Sequence, residues 1–288
     1  MESALDVLRL VRQQTSSFEM IRVTAHAKIN FFLEITGKRP DGYHTLSTVF
    51  QTISLGDELT FQSTSELVLS CSDPNLPVDG RNLVMKAAVH LKEALKETRG
   101  ARIHLEKKIP MGAGLGGGSS DAAAVLKTLP MLWGRRIGVT ALKKIAVGLG
   151  ADVPFFLRGG LCSATGIGNQ LKPMKPLLKT WLVLVYPGFG VSTKAAYAKV
   201  NLPFADTPKR HVADPRQNLF NRFEDLVFPD HPELPRLKQE LLNAGAIGAL
   251  MSGSGSAVYG LVGSKQEGAQ ILAQMQKTYN QSWLVHTV

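Results

Sequence analysis

From Pro110 to Asp121 the chain reads PMGAGLGGGSSD, five glycines in twelve residues. Glycine loses more backbone entropy on folding than any other residue, so a run of it inside a folded chain requires a reason. Its flanks point to one. Ile103 and Leu105 alternate with His104 and Glu106 ahead of the run, and Ala122 to Leu126 form an apolar stretch behind it. The order is strand, glycine loop, helix. The helix is predicted over Ser119 to Leu129, with Ser119, Ser120 and Asp121 as capping candidates and Pro130 as its stop. Such a loop lets a ligand approach the backbone and presents several N–H groups and a positive helix end to an anion, phosphate above all.

Three known phosphate loops compete for this string. Gly112-Ala113-Gly114-Leu115-Gly116-Gly117 satisfies the GxGxxG dinucleotide pattern, but Trp133 to Gly138, where an acidic residue for a ribose hydroxyl is expected, contain no Asp or Glu. That disfavours a nicotinamide enzyme. The chain has no GxxxxGK[ST] string, and neither the HRD nor the DFG of protein kinases. A flexible linker does not normally sit between a patterned strand and a long apolar helix.

Working outward, Ile21 to Phe61 is rich in Val, Ile, Thr and Phe, with turn signals at Gly37 to Gly42 and at Gly56-Asp57, and reads as a run of strands. Asn82 to Lys96 places Leu83, Ala87, Leu91 and Leu95 at helical spacing, with Gly100 as the closing signal. A second helix opens at Thr140 and ends at Leu149, before Gly150-Ala151-Asp152-Val153-Pro154, so Asp152 falls on a loop where Pro154 forbids further helix. Pro and Lys in LKPMKPLLK, between Gln170 and Thr180, mark a boundary ahead of the strand Trp181 to Tyr186. Beyond it come a helix after Ser192, a polar segment with Pro203, Pro208 and Pro215, and a helix near Leu234 to Asn243. Strands follow at Ile247 to Met251 and Ala257 to Val262, then a helix over Lys265 to Thr278 and a strand at Trp283 to His286. The fold class is an α+β mixture in two lobes.

Composition bounds the setting. The 288 residues, 44% hydrophobic, suffice for one large domain or two ordinary ones. No apolar run approaches the ~20 residues of a membrane span. Residues 1–20 carry Glu2, Asp6, Arg9 and Arg12 through a short apolar segment, which reads as an N-terminal extension rather than a signal peptide. Two cysteines, Cys71 and Cys162, are too few for a disulfide framework, so packed thiols in a cytoplasmic protein are expected. Lys and Arg exceed Asp and Glu by 33 to 23, which favours acidic partners such as phosphorylated metabolites. The basic residues are scattered pairs, Lys107-Lys108, Arg135-Arg136 and Lys143-Lys144, without interleaved aromatics. A nucleic-acid-binding protein, the competing class, calls for a clustered patch.

PMGAGLGGGSSDAA resembles the second motif of the GHMP kinase superfamily, and Ser252-Gly253-Ser254-Gly255-Ser256 resembles its third. Ala27-Lys28-Ile29-Asn30-Phe31-Phe32-Leu33, with Gly37-Lys38-Arg39-Pro40-Asp41-Gly42-Tyr43-His44, is similar to one family within it, the 4-diphosphocytidyl-2-C-methyl-D-erythritol kinases. Further agreement comes from Asp79-Gly80-Arg81-Asn82-Leu83, from Leu149 to Phe156, and from Tyr186-Pro187-Gly188 with Ser192 to Tyr197.

The resemblance implies a two-lobed fold, with a ribosomal protein S5 domain 2-like ATP-binding lobe over residues 21–175 and a ferredoxin-like lobe over 176–288. It implies ATP and Mg2+ as cofactors and a small-molecule substrate, with no nucleic acid or membrane partner. The ATP phosphates would lie on Pro110, Met111, Gly112, Ala113, Gly114, Leu115, Gly116, Gly117, Gly118, Ser119 and Ser120. Lys28 and Asp152 would form the catalytic pair, with Asp152 as the base. Tyr43 and His44 would hold the cytosine, Tyr197 would stack on its other face, and Asn30 would lie near the reacting alcohol. No protein ligand for Mg2+ is assigned, although the Ser120 hydroxyl is one candidate. Other GHMP kinases, of the homoserine or mevalonate type, are the alternative and have no use for a cytidyl site. Taken singly the residues have plainer readings: Lys28 as a chain snorkelling from an apolar strand, Asp152 as a turn residue, and Tyr43 with His44 as a half-exposed cap on the core.

Overall fold

The β-rich opening of the chain folds as two long strands, β1 (Met20–Lys38) and β2 (His44–Thr64), paired antiparallel along almost their whole length. The computed structural model describes residues 20–201 and 214–288. The extension before Met20, and Pro203 and Pro208, lie outside the described residues. Gly56 and Asp57, expected at a turn, lie inside β2. The register slips beside them, so that His26 faces Gly56 while Lys28 faces Thr52. A Cβ at Gly56 would stand 2.6 Å from the Thr24 methyl, so this glycine serves a close approach of strands at a bulge.

The chain continues through β3 (Leu67–Cys71), α1 (Leu83–Leu95), β4 (Gly100–Glu106), α2 (Gly117–Leu132), α3 (Val139–Leu149), α4 (Val153–Arg158), β5 (Leu161–Thr165) and β6 (Gln170–Pro173). Asn82 caps α1, its side chain accepting a bond from the Val84 N–H at 2.9 Å. The helix ends at Lys96, in the left-handed region at φ 49°, and not at Gly100. Gly100 instead opens β4, where a Cβ would stand 2.1 Å from the Glu66 backbone. Helix α2 starts two residues before its expected first residue and runs through Pro130. Beyond that proline, Trp133 and Arg135 donate backbone bonds to the carbonyls of Leu129 and Pro130, so one missing N–H near the end does not break the helix. Likewise Pro154 occupies the first turn of α4, a position that proline favours.

A second sheet contains β7 (Trp181–Tyr186), which precedes α5 (Thr193–Ala198). The chain then returns to the first sheet as β8 (Phe220–Asn221), followed by α6 (Phe223–Val227) and α7 (Glu233–Asn243). It finishes with β9 (Gly248–Met251), β10 (Val258–Val262), α8 (Lys265–Met275) and β11 (Gln281–His286). The first sheet has the order β3-β4-β2-β1-β8, with β5 on β2 and β6 on β5. The second is antiparallel in the order β11-β7-β10-β9, a split β-α-β arrangement of the ferredoxin type. Among the described residues no helix is long and apolar enough to cross a membrane.

Two apolar cores lie under these sheets, and a third fuses the lobes: Ala27, Ile29 and Phe31 of β1 cluster with Leu182, Leu184 and Tyr259 of the second sheet. Strand β8 adds polar ties. Asn221 donates to the carbonyls of Met251 and Gly253, both at 2.7 Å. The buried Arg222 guanidinium grips the buried Glu34 carboxylate of β1 at 2.8 and 2.9 Å.

The glycine loop is docked on the late glycine turn. Ser252 donates its hydroxyl to the Gly114 carbonyl at 3.0 Å, and the Ala257 N–H donates to the Ala113 carbonyl at 3.1 Å. Gly114 has φ +73°, and a Cβ there would stand 1.9 Å from the Ser252 carbonyl oxygen. Gly118, inside α2, would meet only the Leu83 methyl at an ordinary 3.6 Å.

Two stability outcomes follow. In urea titrations, Glu34→Ala should lose about 3 kcal/mol, because it removes the buried carboxylate that grips the Arg222 guanidinium on two sides and leaves in its place ties such as the one to Asp225, whose side chain is 61% exposed. In thermal melts, Gly114→Ala should lower the midpoint while Gly118→Ala raises it, since alanine at the helical site gains about 0.5–1 kcal/mol.

Candidate active site

A cleft of about 590 Å3 opens between the glycine loop, β1, the start of α4 and α5. Its floor comes from β1, where Lys28 follows the register slip and donates its backbone N–H to the Leu115 carbonyl at 3.0 Å. The Lys28 ammonium does not snorkel outward. The residue is 3% exposed, and its Nζ donates to Asn30 Oδ1 at 2.7 Å. Burial pushes its pKa below the ordinary lysine value, while the Asp152 charge pulls it back up.

Asn30 holds Lys28 in place. Its Oδ1 also accepts the Gly253 N–H at 3.1 Å, and its Nδ2 donates to the Thr48 hydroxyl at 2.8 Å, which donates to the Phe32 carbonyl at 2.6 Å. Asn30 lines the cleft, and both ends of its amide are engaged by the protein.

Asp152 takes the cap position of α4, its side chain making no bond to its own helix, and lines the cleft with Ala151. Its charge acts on two groups. It raises the Lys28 pKa, and it adds to the burial that raises the Tyr197 phenol well above its ordinary value. Tyr197, on α5, lines the cleft and packs edge-on to Phe223 at 4.9 Å. His44 stacks face to face on Tyr197, with centroids 5.2 Å apart and planes 11° apart. Burial holds its imidazole pKa below the ordinary value. Tyr43 differs: it is 61% exposed, on a turn closed by the Arg39–Asp41 ion pair. The two faces expected to hold a base thus touch each other, and Tyr43 points outward.

Gly112, Gly114 and Gly116 all have φ between +63° and +73°, a left-handed series that side chains resist. At Gly116 a Cβ would stand 2.8 Å from the Phe156 ring. This glycine caps α2 with no side-chain bond to its first turn, leaving N–H groups of that turn free for an anion. Pro110 to Ser119 all line the cleft; Ser120 does not. Its hydroxyl lies on another face of α2 and donates to the His26 carbonyl at 2.7 Å, which removes it from the phosphate side and from candidacy as a metal ligand.

Sequence reading missed an ionic cluster beside the loop. The Lys107 ammonium bonds the Asp57 carboxylate and lies 3.4 Å from Asp121 Oδ2, while Asp57 Oδ1 accepts the Lys108 and Ile109 N–H groups at 2.6 and 2.8 Å. Lys107 and Asp121 line the cleft. Burial drives the Asp121 pKa well up against the pull of Lys107, and its Oδ1 has no hydrogen-bond partner among the described residues. An Asp at a strand bulge and an Asp inside an apolar helix were the available signals, legible only once both met one lysine. Leu76, Pro77, Leu83 and Leu105 give the same end of the cleft apolar walls.

Residues 82–160 match the GHMP kinases N terminal domain, and residues 206–281 match GHMP kinases C terminal. The chain is 42% identical over 273 residues to a 4-diphosphocytidyl-2-C-methyl-D-erythritol kinase of Prosthecochloris aestuarii, covering 91% of this chain and 96% of the relative. It is 37% identical to the kinase of that name from Symbiobacterium thermophilum, covering 93% and 100%. A crystal structure of a 4-(cytidine 5'-diphospho)-2C-methyl-D-erythritol kinase superposes with TM-score 0.82 at 36% identity, over 93% of this chain and 99% of that one. Homoserine kinase from Cytophaga hutchinsonii shares the fold at TM-score 0.70 and 22% identity, over 96% of each chain. With sequence and fold in agreement across both lobes, the chain belongs to the 4-diphosphocytidyl-2-C-methyl-D-erythritol kinase family of the GHMP kinases.

Proposed function

We propose that this kinase transfers the γ-phosphoryl group of ATP to the 2-hydroxyl of 4-diphosphocytidyl-2-C-methyl-D-erythritol, yielding the 2-phosphate and ADP in the non-mevalonate isoprenoid pathway. The observation that carries the reading is the meeting of Lys28, Asp152 and Tyr197 with the glycine loop in one cleft, in a chain whose relatives bear that substrate in their name. We assign residues 21–175 to the ATP-binding lobe and 176–288 to the C-terminal lobe, the boundary falling between β6 and β7.

Phosphoryl transfer depends on positioning and charge stabilisation more than on covalent help from the protein. The loop N–H groups and the start of α2 hold the ATP phosphates. Mg2+, when bound, would neutralise phosphate charge, and Ser119, the loop hydroxyl on the cleft side, is the residue that would help to hold it. Asp152 accepts the proton of the substrate hydroxyl, and Lys28, fixed by Asn30, stabilises the developing alkoxide. Burial strengthens this charge by removing competing water. His44 and Tyr197 part to admit the cytosine, whose faces suit aromatic stacking, and Tyr43 closes over it.

Asp152→Asn should reduce transfer by about 10²–10⁴-fold with ATP affinity nearly unchanged; near-normal turnover would remove Asp152 from the base role. The active lysine is the charged form, and its pKa lies below the ordinary 10.5. Activity should therefore fall with rising pH before 10.5, and Lys28→Arg, charged throughout, should lose that alkaline limb whatever its absolute rate. For the substrate, purified protein should phosphorylate the cytidyl alcohol and leave homoserine and mevalonate untouched. Turnover of either in place of the cytidyl compound would reassign it.

A further inference from the structure

A second cavity, of about 440 Å3, is lined by Ser120, Ala124, Lys127, Thr128 and Met131. Their spacing is that of one face of α2, and it differs from the face that Gly117, Gly118 and Asp121 present to the cleft. Its other walls come from β1, from Thr52 of β2 and from the end of α4. No Asp or Glu side chain lines it, whereas Lys127, Arg158 and His26 do, and Val288, the last residue of the chain, closes one side with its main-chain oxygen held by Gln51 Nε2 at 2.9 Å.

Neither cation is in an ion pair among the described residues. Among the described residues Lys127 forms no ion pair and donates only to the Phe156 carbonyl, at 3.2 Å, and Arg158 has the Cys162 thiol as its polar neighbour. The His26 Nδ1 is buried without a hydrogen-bond partner. Thr24 and Thr52 add hydroxyls, while Val23, Ala25, Met131 and Phe156 give apolar wall. A cavity with cations at one side, hydroxyls, no acidic side chain and a partly apolar lining fits an anion that carries a short hydrocarbon tail.

The cavity is mechanically close to the chemistry. Asp152 caps α4 and Arg158 is the last residue of that six-residue helix, so a pull on one end moves the other. The Phe156 ring forms a cavity wall and also backs Gly116 of the glycine loop. His26 stands two residues before Lys28, and Thr52 is paired with Lys28 across the strands.

We propose that this cavity is an effector site for a small phosphorylated molecule with a short hydrocarbon tail, coupled to the catalytic cleft through α4 and Phe156. The coupling rests on the reading of Asp152 as the base; the binding does not. The test begins with calorimetry, using n-pentyl diphosphate as probe on full-length protein whose cleft is saturated with a non-hydrolysable ATP analogue. One further site should appear, weakened about tenfold or more by Arg158→Gln and by Lys127→Gln. Inorganic pyrophosphate should bind it more weakly, because it leaves the apolar wall uncovered. At saturating ATP the probe should change kcat of the unaltered enzyme and not of Arg158→Gln. The proposal is overturned by absence of binding with the cleft filled, by equal binding in both variants, or by equal affinity for pyrophosphate. It is also overturned by an effect confined to KM for ATP, which is competition in the cleft. Calorimetry needs no turnover, so failure of the substrate assignment leaves its result readable.

Discussion

Gly114 approaches the Ser252 carbonyl so closely that no side chain fits between them, and two hydrogen bonds join the two turns, one from the Ser252 hydroxyl and one between backbones. This meeting of two glycine turns, one from each lobe, sets the position of the phosphate loop. It also brings Gly253 to Asn30, whose amide oxygen accepts both the Gly253 N–H and the Lys28 ammonium. A displaced turn would therefore release the lysine as well as the loop. The apolar core between β1 and the second sheet maintains this alignment, with Asn221 and the Glu34–Arg222 pair as polar ties on the same side.

The electrostatics follow from the same packing. Lys28 is buried within an apolar strand pair, so its charge is desolvated and its pKa falls. Asp152 counteracts part of that cost from across the cleft without an ion pair at bonding distance among the described residues, the arrangement that the proposed base role needs. At the other end of the cleft, Lys107 between Asp57 and Asp121 forms a second buried charge cluster. The cleft thus places one buried cation near Asp152 and a separate charge cluster towards its apolar-walled end.

Much of this was legible along the chain because glycine and proline report local backbone needs. The order strand, glycine loop, helix was readable from periodicity and composition, and so were most later elements. The errors had local causes. Pro130 and Pro154 read locally as stops, although proline is tolerated near a helix end and favoured in a first turn. Gly56 and Gly100 read locally as punctuation, although each permits a close backbone approach to a segment more than thirty residues away. Ser120 matched the motif as well as Ser119 did, but helical rotation turns its hydroxyl to His26.

By itself the sequence determined the phosphate loop, the two-lobed α+β class and the family, because these depend on residue types in contiguous runs. The tertiary structure alone decided the surroundings of each side chain. Lys28 in an apolar strand reads equally as a snorkelling chain until burial and the Asn30 bond are seen. The contact of His44 with Tyr197, and the reach of one lysine to two aspartates more than sixty residues apart in sequence, depend on how the strands pair and the lobes dock. Those distances arise from packing between segments far apart in the chain, which local residue patterns do not encode.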